Sequence, residues 1–169
     1  MSAYTLISAA SLVNRKAMPK PPTIPTHQPA RPRGCTFLRL RKLTRRITQR
    51  YDVHLQPSGL RITQFSVLAT LAGADGMSIT ELAAQLAMDR TTLTRNLQPL
   101  ISAGHVGLGA GKDARSRSVF LTPAGRTIFS ATLPRWREAQ QEMQRLLGSD
   151  TLQHLHTILD DTLNLLTAA

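Results

Sequence analysis

Five side chains, Arg90, Thr91, Thr94, Arg95 and Gln98, fall close together in the stretch DRTTLTRNLQPLI. On an α-helix their spacing gathers them on one side, and Leu93, Leu97, Leu100 and Ile101 on the other. Guanidiniums, hydroxyls and an amide at successive turns are the groups that hydrogen-bond base edges and phosphates in a major groove. A second group follows in GAGKDARSR, where Lys112, Asp113, Arg115 and Arg117 stand on a short glycine-rich segment. Cations projected on a narrow tip suit a polyanion. Other chemistries lack their residues. Gly107 to Lys112 looks like a phosphate loop, but the spacing is wrong, and Asp113 stands where such a loop needs Ser or Thr. His154 and His156 are two apart on a helix, so they point to different sides, and no ligand set at metal spacing accompanies them. No nucleophile has a base and an orienting partner, so the chain is expected to be no enzyme, with no metal and no cofactor.

The elements that must position these groups can be read from periodicity. Ile79, Leu82 and Leu86 recur at helical spacing, with Thr80 placed to accept from the first-turn amides. Met88-Asp89 interrupts that helix, and Asp89 caps the next one. Val106-Gly107-Leu108 and Ser118-Val119-Phe120-Leu121 can pair as strands around the basic tip. Helix, bracing helix and basic hairpin together make a winged helix-turn-helix. Taken alone, the polar face of the second helix reads better as the solvated face of an ordinary helical hairpin; the basic hairpin shifts the balance.

The stretch ITELAAQLAMDRTTLTRNLQPLISAGHV followed by KDARSRSVFLTPAGR resembles the MarR family of bacterial transcription regulators. The resemblance rests on an Asp-x-Arg pair in the wing, Asp113 and Arg115, followed by Leu121-Thr122-Pro-Ala-Gly125 at the start of the next helix, and it extends over about residues 35–147. It implies a homodimer in which Arg115 enters the minor groove and Asp113 holds it there.

The remainder of the chain fits a single domain with a tail. Among 169 residues, 21 are Lys or Arg against 10 acids, a formal net charge of +11 that points to nucleic acid or an anionic membrane surface. No acid precedes Asp52. One cysteine excludes an internal disulfide and suits a reducing cytoplasm. Residues 1–33 are expected to form a flexible, proline-rich basic arm; Tyr4 to Val13 is too short to span a bilayer, and Met18 offers an alternative start that would leave residues 1–17 untranslated. Residues 34–169 form the main domain: 57–122 the winged helix-turn-helix, and 34–56 and 123–169 the dimerisation helices. Residues 35–55 read as a strongly basic amphipathic helix with Leu40, Leu43, Ile47 and Tyr51 in one stripe; a membrane-surface helix would look similar. Leu60 to Leu71 is the next helix. Thr122 caps the helix after the wing, with Pro123 at its first position and Pro134 expected to kink or loosen one turn. Ser149 is expected to cap a last helix with Leu152, Leu155, Leu159, Leu163 and Leu166 in line, a row that a second copy of the chain would cover.

Family resemblance places a small-molecule effector near Arg46, Tyr51 and His54. It also draws attention to Cys35 as a possible redox switch, because peroxide sensors of this family carry a reactive cysteine near the start of the first helix. Aligned on Tyr51, that position falls on Phe37, and Arg41 stands where one tyrosine partner belongs. Arg33 and Arg39 and the first-turn amides would favour a Cys35 thiolate. The expected fold is mainly α with a small antiparallel β wing. The expected function is a DNA-binding regulator, a repressor acting as a cytoplasmic homodimer on double-stranded, pseudo-palindromic operator DNA. The alternative is a basic architectural or membrane-surface protein without operator specificity.

Overall fold

The computed structural model describes residues 34–110 and 117–167. The chain divides into two units, residues 1–35 and 36–169. The expected arm lies outside the described residues, and every helix and strand among the described residues belongs to the second unit.

Helix α1 (Thr36–Leu55) ends in a single 3-10 turn at Gln56–Ser58, where Pro57 enters. Asp52, near its end, accepts a hydrogen bond at 2.8 Å from the Ile62 amide, so α1 caps the next helix, α2 (Ile62–Ala72). After β1 (Met77–Ser78) come α3 (Ile79–Gln85) and α4 (Arg90–Ser102), then strands β2 (Val106–Ala110) and β3 (Arg117–Leu121). Helices α5 (Pro123–Leu147) and α6 (Ser149–Thr167) complete the order. The architecture is mainly α with a three-stranded antiparallel sheet in the order β1-β3-β2, pairing Met77 with Val119 and Val106 with Leu121. The third strand, β1, goes beyond the two that the sequence suggests: two residues carry no periodicity to read, and only their pairing to β3 defines them.

The core lies within the reading unit. Val67, Leu68 and Leu71 of α2 meet Leu82 of α3, Leu93, Leu97 and Leu100 of α4, and Val106, Val119 and Leu121 of the sheet. Phe65 stacks on Phe129 and Trp136 of α5, at 5.3 and 6.0 Å between ring centroids, which fastens α2 to α5.

Two expected caps differ. Ser78, not Thr80, starts α3: its hydroxyl accepts from Glu81 N at 3.1 Å while Glu81 accepts from Ser78 N at 2.7 Å. The reciprocal pair satisfies two orphan amides, more than a hydroxyl already inside the helix can do. At α6 the first-turn amide of Leu152 bonds the Gly148 carbonyl, and the Ser149 hydroxyl accepts instead from the Gln144 amide at 3.1 Å. Thr122 does cap α5, accepting from Gly125 N at 3.0 Å, and it also donates to the Gly104 carbonyl at 2.6 Å. The Gly104-His105 backbone therefore packs directly against the first turn of α5. A side chain at Gly125 would overlap the His105 carbonyl oxygen, which gives the Leu-Thr-x-x-Gly pattern a steric reason. Helix α5 runs as one element through Pro134. Helix α6 carries no buried residue at all.

Candidate nucleic-acid interface

Helix α4 divides as its periodicity requires. Leu93, Leu97 and Leu100 are 0–2% exposed, whereas Arg90, Thr91, Thr94, Arg95 and Gln98 are all exposed. Asp89 starts the helix: its carboxylate accepts from Thr92 N at 2.9 Å and from the Thr92 hydroxyl at 2.6 Å. The hydroxyl bond, then the amide bond, holds the Asp89 carboxyl below its ordinary range. The Asn96 amide reaches the Met88 sulfur at 3.5 Å and braces the turn between α3 and α4. Ala87 takes φ +47 in that turn, a left-handed conformation that ends α3 sharply. Thr94 donates its hydroxyl to the Arg90 carbonyl at 2.8 Å. Outward it therefore offers acceptor lone pairs and a methyl group, not a donor. Pro99, which no sequence pattern singles out, sits inside α4 and removes the helical donor for the Arg95 carbonyl.

Strand β3 begins at exposed Arg117, paired with Ala110. Among the described residues, Arg90, Arg95 and Arg117 make no ion pair. Lys112, Asp113 and Arg115 lie outside the described residues. The exposed polar face of α4 and the exposed start of β3 at Arg117 are the described parts of this surface.

The predicted effector trio is distributed differently. Arg46 lines an open recess of about 220 Å³ together with Gln49, Arg50, Val53 and Glu142. His54 stands behind it, its Nε2 at 2.6 Å from Glu142 and its Nδ1 at 3.8 Å from Glu138. Tyr51 does not line this recess; it is half-buried, and burial raises its pKa. Glu142 also accepts from Arg50, and the His54 bond, then that from Arg50, keeps its carboxyl below the ordinary range. Sequence reasoning missed this α1–α5 clamp because its partners are about ninety residues apart and no local pattern links them. Cys35 is free and half-buried. The two positions matched to the peroxide sensors' cysteine and tyrosine hold a cation–π pair instead, with the Arg41 guanidinium 5.5 Å from the Phe37 ring centroid. Among the described residues, no helix is long and apolar enough to cross a membrane.

Residues 58–116 match the model of the MarR family. No curated protein matches the chain. Among solved structures, the chain is similar to the transcriptional regulator MosR of M. tuberculosis in complex with DNA, at 36% identity and a TM-score of 0.68, covering 77% of this chain and 96% of that one. It is also similar to a mutant MarR from E. coli complexed with operator DNA, at 26% identity and a TM-score of 0.69, covering 75% and 92%. The repressor CouR bound to a 23-mer DNA duplex aligns at 25% identity with a TM-score of 0.68, covering 75% and 91%. The family's members are transcription regulators, not enzymes. Its winged helix, its wing-to-helix junction and these likenesses agree: the chain belongs to the MarR family of transcription regulators.

Proposed function

We propose that the protein binds double-stranded DNA as a cytoplasmic homodimer and represses from a pseudo-palindromic operator. The observation that carries this reading is the uncovered face of α4, where Arg90, Thr91, Thr94, Arg95 and Gln98 are all exposed above a buried leucine stripe. Arg95, Arg90 and the two threonines face base edges or adjacent phosphates, with Gln98 at the far end. Arg117 and Lys112 take phosphates, and Arg115, oriented by Asp113, takes the minor groove. The DNA-bound relatives support this, since three of them align over most of their length. Residues 57–122 act as the reading head, and 34–56 with 123–169 as the dimerisation helices. Leu159, Leu163 and Leu166 support the dimer: they are 39%, 55% and 74% exposed in one protomer, an apolar row that a second copy would cover. Release would follow an anionic effector drawn to Arg46 and Arg50, or oxidation at Cys35, either one changing the separation of the two heads.

The test uses the DNA upstream of the protein's own gene and an unrelated duplex. Arg95→Ala should cost about 1–3 kcal/mol on the former and relax preference at one base pair per half-site. Equal weakening on both duplexes would remove the major-groove assignment. An architectural or membrane-surface role would show as operator and unrelated DNA competing equally, where specific binding predicts at least about a thousandfold difference.

A further inference from the structure

On one face of the described wing strands, an aromatic ring is laid over two glycines. Gly107 pairs directly with Phe120, and Gly109 pairs with Ser118. The Phe120 ring leans along the neighbouring strand and covers both glycines. A Cβ added at Gly107 would lie 2.6 Å from ring atom Cε2 and 3.1 Å from Cε1, and one at Gly109 would lie 3.2 Å from Cε1. Carbon atoms settle at about 3.5–4.0 Å, so no side chain fits at Gly107 while the ring stays. The ring is not part of the core. Phe120 is 38% exposed, whereas its neighbours Val119 and Leu121, on the opposite face, are 0% and 5% exposed.

A strand reading Val-Gly-Leu-Gly-Ala is poorly suited to its place. Glycine loses the most backbone freedom on folding and offers nothing to pack, and β2 is an edge strand with only β3 beside it. Cross-strand side-chain pairs are what stabilise a sheet, and on this face β2 brings none. An aromatic from the adjacent strand can supply the missing cover, as in the rescue of edge glycines by aromatic neighbours. Phe120 does so from the second of the five rungs, and its ring reaches Gly109 on the fourth, one rung before the pairing ends at Ala110 and Arg117.

We propose that Phe120 is a positioning residue for DNA binding: lying across Gly107 and Gly109, it holds β2 and β3 in one twist and so fixes the direction in which Arg117 is presented, without touching DNA itself. This rests on the reading of the wing as a DNA-contacting element.

The experiment measures binding of the full-length protein to the DNA upstream of its own gene across a salt series, with circular dichroism as the control for folding. Phe120→Ala should weaken binding about fivefold to tenfold and flatten the salt dependence by roughly one unit of slope per protomer, as lost phosphate contacts do. Phe120→Tyr, which keeps the ring, should bind as the parent does. Gly107→Val retains Phe120 but drives the ring off, and because valine suits a strand it should fold and reproduce the Phe120→Ala defect. Arg117→Ala should weaken binding, and adding it to Phe120→Ala should weaken it no further. Multiplying defects in that double variant would mean that Phe120 meets DNA directly, which overturns the positioning role. Normal binding by Phe120→Ala or by Gly107→Val, with Arg117→Ala impaired, also overturns it while the wing reading stands. Normal binding by Arg117→Ala removes the Arg117 contact, and this inference with it.

Discussion

Replacing Gly125 with alanine tests the junction between the Gly104-His105 loop and the first turn of α5. The new methyl group would overlap the His105 carbonyl oxygen and press on His105 C at 2.9 Å and Leu121 Cγ at 3.2 Å. The first atom is backbone, held by the Thr122 amide at 3.1 Å, so no rotamer change relieves the clash; the loop and the first turn of α5 must separate. Separation breaks the Thr122 N to His105 bond and the Thr122 hydroxyl bond to Gly104. Each of these two lost hydrogen bonds costs about 1 kcal/mol, so the variant should lose about 2–4 kcal/mol once Leu121 repacks. Urea unfolding at fixed protomer concentration measures it, with the midpoint falling and the slope unchanged. Gly73→Ala is the control, because the nearest atom to its added carbon is Thr70 O at an ordinary 3.7 Å; it should be neutral or stabilising by up to about 1 kcal/mol. A Gly125→Ala protein within about 0.5 kcal/mol of the parent, inside the range of an ordinary surface change, would refute the close-approach argument.

Leu159→Arg places a charge in the exposed α6 row and should give monomers or insoluble protein by light scattering; a parent chain that is itself monomeric removes the dimer reading. Asp89→Ala takes away the cap of α4 and should lower the urea midpoint, and an Asp89→Asn protein of near-parental stability would assign that loss to the hydrogen bonds to Thr92 over charge. Glu142 is held below the ordinary carboxylate value of 4.5 by His54 and Arg50, so its clamp contributes stability in full above that value and loses it as pH falls through the depressed one. Glu142→Gln should therefore lose less urea midpoint than the parent between about pH 7 and about pH 3, and equal losses would dismiss the clamp as a source of acid sensitivity.

What could be read in the sequence is what local spacing encodes. The leucines of α4 and the cap at Asp89 are set by neighbours within four residues, and the side-chain types of the exposed face follow from the same period. The wing strands were legible because Val106 and Val119-Phe120-Leu121 flank a polar, glycine-rich break. What was illegible depends on partners far apart in the chain. Ser78 outcompetes Thr80 as a cap partly because β1 must pair with β3, which fixes Ser78 opposite Ser118. Tyr51 and His54, three residues apart and grouped by resemblance, are separated by what α5 brings to them: Glu138 and Glu142 engage His54, and burial claims Tyr51. The Phe120 ring over Gly107 likewise needs the register of two strands before it exists. As sequence, Gly107 reads as one residue of a strand and Gly109 as the start of the glycine-rich tip, with nothing to place them under one ring.

Helix α5 is one link between the reading unit and α1, alongside the Ile62 N to Asp52 bond. Gly125 and Thr122 tie its first turn to the end of α4, and Glu142 ties its far end to α1. Seventeen residues separate Gly125 from Glu142, about 25 Å of helix at 1.5 Å per residue. A rod of that length transmits a shift at one end to the other unless it bends between them. Pro134 is where bending costs least, since its missing N–H leaves the Ser130 carbonyl without a helical partner. The stack of Phe65 on Phe129 and Trp136 spans that point and resists the bend. Under the proposed function, an anion drawn to Arg46 and Arg50 competes with Glu142 for Arg50. It would loosen the far clamp while the Thr122–Gly125 junction holds, so the reading head would turn with α5 as one piece.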